Sequence, residues 1–366
     1  MNHSLTVLEI SLDAIQHNLD FFRSKIGNET LLLVVLKASG YGSDAIGLGK
    51  FLEQKGVDYF AVAYVDEGIA LRKAGVKTPI LVLHPQIKNL DLMVENSLEP
   101  NLYSHHILNE FIQVCQKMNL KDYPIHLKFN TGLNRLGFRK GELATIFKVL
   151  STEDSLYVKS IFSHLVASED QGLHDFTLNQ IAEFNKISNE FEKLWNYRPV
   201  RHMTNTSGIL NFPEAHFDMV RLGLGLYGFA NDKQYTDKLQ NVFRLKSIIS
   251  QLHPVDKNES VGYNLGYKAS KKIVSATIPV GHADGLFRAL GQNKIFVRVN
   301  GQKAPVIGNI CMDMIMADVS DIDCQEGDEV IIFDSQEEIL DFSRQANTIS
   351  YEVLTALGPR IKRELV

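Results

Sequence analysis

Two hydrophobic rhythms divide the chain. Up to about residue 236, short apolar runs alternate with stretches whose apolar positions recur every three to four residues. The runs are LLLVVLKA (31–38), YFAVA (59–63), PILVLH (79–84), LEPNLY (98–103), IHLKFN (125–130), LYVKSIFSHL (156–165), VRHMTN (200–205) and HFDMVRLGL (216–224). Most are rich in β-branched or aromatic residues and lack strict polar alternation, the pattern of strands buried on both faces. Between them AIGLGKFLEQKG, DEGIALRKAG, HILNEFIQVCQKM, GELATIFKVL and TLNQIAEFNKISNEFEKLW carry helical periodicity. From residue 237 that rhythm stops. KSIISQLHPV, KKIVSATIPVG, KIFVRVNGQKAPVIGNI, MIMADVS and DEVIIFD follow, separated by the turn formers DKNES, GQN, NG and EGD. This second pattern predicts a compact, mainly antiparallel β domain. A final helix-like stretch, EEILDFSRQANTISYEVLTALG, precedes a short tail.

Eight strand-like runs alternating with helices predict an α/β fold. The expectation is an N-terminal (β/α)8 barrel of the TIM type over residues 1–236, then the β domain over 237–366. A doubly wound open sheet is the competing architecture. No G-x-G-x-x-G follows the first run, which lowers that option.

Composition narrows the function classes. The chain has 366 residues and a formal net charge of -5, without the basic footprint of a nucleic-acid binder. No apolar stretch reaches the roughly 18 residues of a membrane span. Glu9 and Asp13 interrupt the N-terminal segment too early for a signal peptide. Three cysteines, few and odd in number, make a disulfide framework unexpected and suit a reducing cytoplasm. Cys311 in CMD lacks a Cys-x-x-Cys partner and reads as a core or interface residue. The histidines lack metal-ligand spacing, so no catalytic metal is expected.

Chemistry in a barrel sits at the C-terminal ends of its strands. Polar residues cluster there: Lys37 after the first run, Asn130 through Arg135 after the fifth, His164 after the sixth, Asn205, Thr206 and Ser207 after the seventh, and Arg221 in the eighth. A lysine ending an apolar strand is costly to bury as a cation. Either it pairs with a carboxylate, or desolvation lowers its pKa so that the neutral amine can form an imine. Ser-Gly-Tyr-Gly after it is a flexible turn. Asn205-Thr206-Ser207-Gly208 suits a phosphate cradle, a helix N-cap, or both.

KASGYG, KFNTGLNRLGF, HMTNTSG, VRLGLGLYG, VGYNLGY, IPVGHADG, GNICMDM and YEVLTALGPR, in this order, make the chain resemble the alanine racemase family essentially from end to end. The resemblance implies a barrel binding pyridoxal 5'-phosphate (PLP), followed by a β domain with which the first strand, about residues 1–10, packs. It implies that Lys37 carries PLP as a Schiff base and serves as the base for the D-enantiomer. Tyr263 is implied as the base for the L-enantiomer, reaching in from the second subunit of a homodimer with shared active sites. Tyr41, Thr206, the backbone of Gly223 and Leu224, and Tyr351 would hold the phosphate, with Asn205 beside them. Arg221 would face the pyridine nitrogen with His164 next to it. Arg135 and the Met312 N–H, the latter from the partner, would receive the substrate carboxylate. Lys128 matches a lysine carbamylated in many relatives.

The implied activity is interconversion of L- and D-alanine, supplying D-alanine for peptidoglycan. Lysine and tyrosine, two bases on opposite faces of the cofactor, suit proton removal and return. Arg221 donates hydrogen bonds and cannot accept them, so the ring nitrogen stays unprotonated. That makes a weaker electron sink and favours racemisation over transamination. The chain departs from the common family pattern at Asn130, Leu133-Asn134 and His282. The first changes a charge near Lys128 and Arg135. The alternatives are a racemase of broader specificity, a PLP-dependent decarboxylase, which would usually oppose the ring nitrogen with a carboxylate, and a PLP carrier, which would lack the β domain.

Overall fold

The computed structural model describes residues 5–366, so the first four residues of the expected N-terminal strand lie outside the described residues. The chain divides into two units. One runs from Asn18 to Gly40 and from Ala45 to Leu239; the other holds the chain up to His17, Tyr41–Asp44 and Gln240–Val366.

The first unit is a sheet of eight parallel strands, each followed by a helical segment. In chain order they are Leu31–Val35, Tyr59–Val62, Ile80–Val82, Glu99–Leu102, Tyr123–Lys128, Leu156–Phe162, Val200–His202 and Met219–Leu222. Each falls within, or within two residues of, one of the apolar runs. Successive strands pair, and the last returns to the first through Leu31 opposite Met219 and Leu33 opposite Arg221. The Asp218 N–H donates to the Arg201 carbonyl at 3.1 Å, joining the remaining two edges into a near-closed barrel. Leu33, Ala61, Leu81, Leu127 and Ile161 are fully buried, as residues with protein on both sides must be. Helices such as His105–Lys117 turn an apolar face, including Ile107, Leu108, Phe111 and Cys115, onto the strands.

The second unit is built on nine strands, in the spatial order Gln251–Val255, Ile273–Ile278, Ile315–Asp318, Gln302–Ile307, Phe296–Val299, Glu329–Phe333, Phe243–Ile248, Val7–Ile10 and Lys362–Leu365. All neighbours are antiparallel except the final pair. Phe243, Leu245 and Ser247 are buried while their neighbours are half-exposed, the alternation of a sheet with one covered face. KSIISQLHPV spans two strands, because the chain turns at Ile249-Ser250. The expected terminal helix is two helices, Gln336–Gln345 and Ser350–Thr355, parted where Asn347 adopts a φ of 55°. The short tail is itself a strand: Val7 lies opposite Lys362 and Ile10 opposite Leu365. No helix among the described residues is long and apolar enough to cross a membrane.

Candidate active site

Lys37 does not end a strand. The first barrel strand stops at Val35, and Lys37 opens a tight turn. After it, Ala38, Ser39, Gly40, Tyr41 and Gly42 all have positive φ, 52°, 55°, 66°, 58° and 81°. Five such residues make a left-handed helical turn. Each non-glycine there costs roughly 1–2 kcal/mol, so the surroundings must impose the conformation. Glu67 supplies one anchor: its Oε1 accepts the Ala38 N–H at 2.6 Å, while Oε2 accepts those of Ala63 and Tyr64 at 2.7 and 3.1 Å. Arg363 supplies another, donating twice to the Gly42 carbonyl at 3.2 and 3.1 Å.

Among the described residues Lys37 forms no ion pair, so the carboxylate-paired reading of this lysine is set aside. Burial pushes its pKa down, and Arg135 and Arg221 add to that against the pull of Glu67. The same forces act on Lys128 on the inner end of the strand Tyr123–Lys128. Burial first, then Arg221, Arg135 and Lys37, lower it to about 8. Its Nζ lies 5.8 Å from the centre of the Phe162 ring, with no carboxylate in reach. Four cationic side chains therefore converge at one pole of the barrel with no carboxylate in ion-pairing distance among the described residues, and only Glu67 acting on Lys37 from farther off. Such an arrangement suits an anionic ligand.

Arg135 is exposed, on a loop folded back upon the strand end. Asn130 N–H donates to the Phe138 carbonyl and Phe138 N–H to that of Lys128, both at 2.8 Å. A side chain at Gly137 would meet the Asn130 nitrogen at 2.8 Å. Asn130 organises the turn: its Oδ1 accepts from the Gly132 and Asn134 N–H groups at 3.1 and 3.0 Å, and its Nδ2 donates to Asn134. An Asx turn of this kind needs the side-chain oxygen and not its charge, so asparagine serves the loop while leaving the cationic cluster unneutralised.

Arg221 is buried at 5% exposure on the eighth strand. Its Nη2 donates to the Ser163 carbonyl at 2.9 Å and to His164 Nδ1 at 2.8 Å; its Nη1 donates to His202 Nδ1 at 2.7 Å. Since a guanidinium only donates, both imidazoles must present a lone pair at Nδ1 and carry their proton on Nε2. Burial, with Arg221 adding to it, holds both histidines neutral, well below the ordinary histidine pKa. His164 thus offers an N–H donor and not a second positive charge. Phe162 stacks on His202 at 4.7 Å and completes the socket. Burial also lowers Arg221 to about 9. The Nε–H of Arg221 has no protein acceptor among the described residues, which leaves a donor for a ligand. Sequence reasoning missed His202, which lies in the run VRHMTN next to Arg201 and has no spacing signal of its own.

Near the end of the seventh strand, Asn205 caps the helix Thr206–Asn211. Its Oδ1 accepts the Gly208 N–H at 2.9 Å and the Ser168 hydroxyl at 2.7 Å. The side chain is therefore committed to the cap. Thr206 Oγ1 accepts the N–H groups of Gly223 and Gly225 at 3.3 and 3.2 Å. Of the two backbone groups expected at a phosphate, Gly223 N–H is thus engaged, while Leu224 N–H has no acceptor among the described residues.

In the second unit, Tyr41 is buried with its ring 6.0 Å from that of Tyr351. Burial and the neighbouring phenol raise the pKa of Tyr41 well above the ordinary tyrosine range. Tyr263 and Met312, by contrast, are 70% and 58% exposed. Together with Gly262, Cys311, Asp313, Met314 and Met316 they line one groove. The Met312 carbonyl accepts the Ala283 N–H at 3.0 Å, and Asn309 Nδ2 donates to the Tyr263 carbonyl at 2.8 Å. Both loops are thus fixed by their backbones. The Met312 N–H has no acceptor among the described residues.

A cation-lined barrel pole joined in one chain to an antiparallel sheet domain defines the class as a barrel protein with a site for an anionic group. Comparison with known proteins makes the class specific. Residues 10–231 match the description "Alanine racemase, N-terminal domain" and residues 242–365 "Alanine racemase, C-terminal domain". The chain belongs to the alanine racemase family. Alanine racemase 1 of Caldanaerobacter subterraneus subsp. tengcongensis is 33% identical across 98% of this chain and 94% of its own. An amino-acid racemase of Enterococcus faecalis is 35% identical over 98% of this chain, which spans 51% of that relative's length. The crystal structure of alanine racemase from Bartonella henselae with covalently bound pyridoxal phosphate superposes with a TM-score of 0.88 at 30% identity, covering 99% of this chain and 100% of that one.

Proposed function

We propose that this chain interconverts L- and D-alanine with pyridoxal 5'-phosphate, and so supplies D-alanine for peptidoglycan. The observation that carries the reading is the cluster of Lys37, Lys128, Arg135 and Arg221, none of them ion-paired among the described residues. The donors fit the cofactor: an amine with a lowered pKa, a guanidinium with a spare N–H, and unengaged backbone N–H groups. When bound, the cofactor supplies an electron sink that makes the substrate α-proton removable.

The chain's own residues do the rest. Lys37 Nζ would hold the cofactor and exchange a proton on one face of the substrate carbon. The free N–H of Arg221 would serve the cofactor's ring nitrogen as a donor and leave that nitrogen unprotonated, which would limit side transamination. Tyr41, Thr206, the Leu224 N–H and Tyr351 would hold the phosphate, while Thr206 keeps the Gly223 N–H and Asn205 caps the helix that Thr206 opens. Arg135 binds the substrate carboxylate. Lys128, with a pKa lowered to about 8, is neutral often enough to take up CO2 as a carbamate. The second base is Tyr263, working with the Met312 N–H. Their exposure supports a homodimer in which each chain lends these residues to its partner's site. A cytoplasmic enzyme fits this role.

A broader specificity is the second reading, favoured by the 35% identity to the amino-acid racemase of Enterococcus faecalis. Racemisation of L-serine alongside L-alanine separates the two. The cofactor assignment is tested by borohydride reduction of the protein incubated with PLP, followed by peptide mapping. One pyridoxyl group on Lys37 is expected; a label on another lysine, or none, overturns the site.

A further inference from the structure

Arg221 is a buried cation with no carboxylate in ion-pairing distance among the described residues. A file of hydrogen bonds leads away from it through the barrel core. His202 Nδ1 accepts from Arg221 at 2.7 Å, and His202 Nε2 lies 3.1 Å from Ser160 Oγ. Ser160 Oγ is 2.5 Å from His126 Nδ1, and His126 Nε2 is 2.7 Å from Glu99 Oε2. Glu99 also accepts from the Tyr59 hydroxyl at 2.9 Å and from Lys159 Nζ at 3.0 Å. Glu99, His126, Ser160, His202 and Arg221 are all buried.

Register assembles this file. A bulge shifts the pairing between Ile125 and His126, so that His126 lies opposite Ser160 and not opposite Lys159. The direction of the first two bonds follows from the Arg221 end. Arg221 can only donate, so His202 accepts at Nδ1 and donates from Nε2 to Ser160. We assign the Ser160 hydroxyl as donor to His126 Nδ1, the arrangement that keeps both buried imidazoles neutral; His126 then keeps its proton on Nε2 and donates it to Glu99. The file runs from a cation to an anion, and Glu99 Oε2 at its end accepts the Tyr59 hydroxyl as well. Aligned hydrogen bonds polarise one another in a low-dielectric interior.

We propose that Glu99 is a positioning residue for the reaction: through His126, Ser160 and His202 it supplies the buried counter-charge that fixes the orientation and donor strength of Arg221. Lys159, about one-third exposed and so screened by water, pairs with Oε1 of Glu99. The other oxygen faces inward to the file. The part of the inference that concerns catalysis rests on the role given to Arg221 above. The file itself does not.

The test uses histidine-selective 15N labelling of the full chain, first without added cofactor. His126 and His202 should both show the tautomer with the proton on Nε2. Glu99→Gln keeps an acceptor oxygen but removes the charge. It should shift the His202 resonances, although three residues of the file separate it from Arg221. In a Ser160→Ala background the same substitution should leave His202 unmoved. With PLP present, Glu99→Gln and Ser160→Ala should each lower kcat roughly tenfold with KM within about twofold. Their combination should be no worse than either alone. A His202 spectrum indifferent to Glu99→Gln, or effects on kcat that multiply, would overturn the proposal. Should Glu99→Gln not fold, Ser160→Ala alone decides: an unchanged His202 spectrum and kcat refute the file. A parent protein that couples Glu99 to His202 yet does not racemise alanine would sink the functional reading and leave the file standing.

Discussion

Gly42 closes the left-handed turn that begins after Lys37, and replacing it with alanine has two separable costs. The first is conformational. At a φ of 81°, an alanine pays about 1 kcal/mol or more relative to glycine. The second is steric: a Cβ at Gly42 would stand 2.0 Å from the Leu354 carbonyl oxygen and 2.8 Å from its carbon. These are backbone atoms of the helix Ser350–Thr355 and cannot swing aside as a side chain would. Relief requires a backbone shift of the kind that costs about 1–3 kcal/mol in overpacked cores. Gly301 provides the control. It lies in the same unit with a φ of 77°, and nothing stands within 4 Å of its would-be Cβ. Gly301→Ala therefore pays only the first cost. For a unit of this size about 3 °C of melting temperature is lost per kcal/mol. Differential scanning calorimetry should place Gly42→Ala roughly 6 °C below Gly301→Ala. If the two melt within about 1 °C of each other, the packing argument is wrong, since backbone strain alone would then account for both.

Other consequences are open to measurement. Glu67 raises the Lys37 pKa, so Glu67→Gln should lower it; the pH at which half of the Lys37 amine reacts with an acylating probe should fall, and a rise would contradict the electrostatics. The Glu99 pKa is held near 2 against an ordinary 4.5 by His126 and Lys159 despite its burial. A carboxyl depressed in the folded state stabilises above its unfolded pKa, and that stability fades as pH drops from about 4.5 to about 2. Glu99→Gln should flatten the loss of unfolding free energy over that window, measured by urea titration at stepped pH. With 13C-bicarbonate above pH 8, Lys128 should show a carbamate signal by NMR that Lys128→Met lacks; the same signal in both would assign it elsewhere. Tyr263→Phe should slow α-proton exchange from L-alanine more than from D-alanine; equal slowing would remove Tyr263 from the role of a face-specific base.

The barrel was legible because its strands are buried on both faces. Runs such as LLLVV and FAV have no reason to be so uniformly apolar otherwise. The pole at which Lys37, Arg135, His164 and Arg221 gather was legible for the same reason: polar residues at the ends of such runs need an explanation. What could not be read was anything that depends on register. Glu99, His126, Ser160 and His202 lie inside the strand runs themselves, and only the bulge beside His126 brings it opposite Ser160. The left-handed turn was hidden too, since Ala38, Ser39 and Tyr41 carry no preference for positive φ and are held there by Glu67 and Arg363. Lys362–Leu365 looked like a tail because KREL is polar, yet it forms the edge strand of the larger sheet with all four residues half-buried. Edge strands take such residues readily.

The most direct test of the central claim is a chiral assay. Incubated with PLP, the purified protein should convert either L-alanine or D-alanine to the same near-equal mixture, as an equilibrium between mirror images requires. Lys37→Ala should abolish both conversions. Unchanged alanine from the cofactor-loaded parent, or full conversion by Lys37→Ala, would contradict the account.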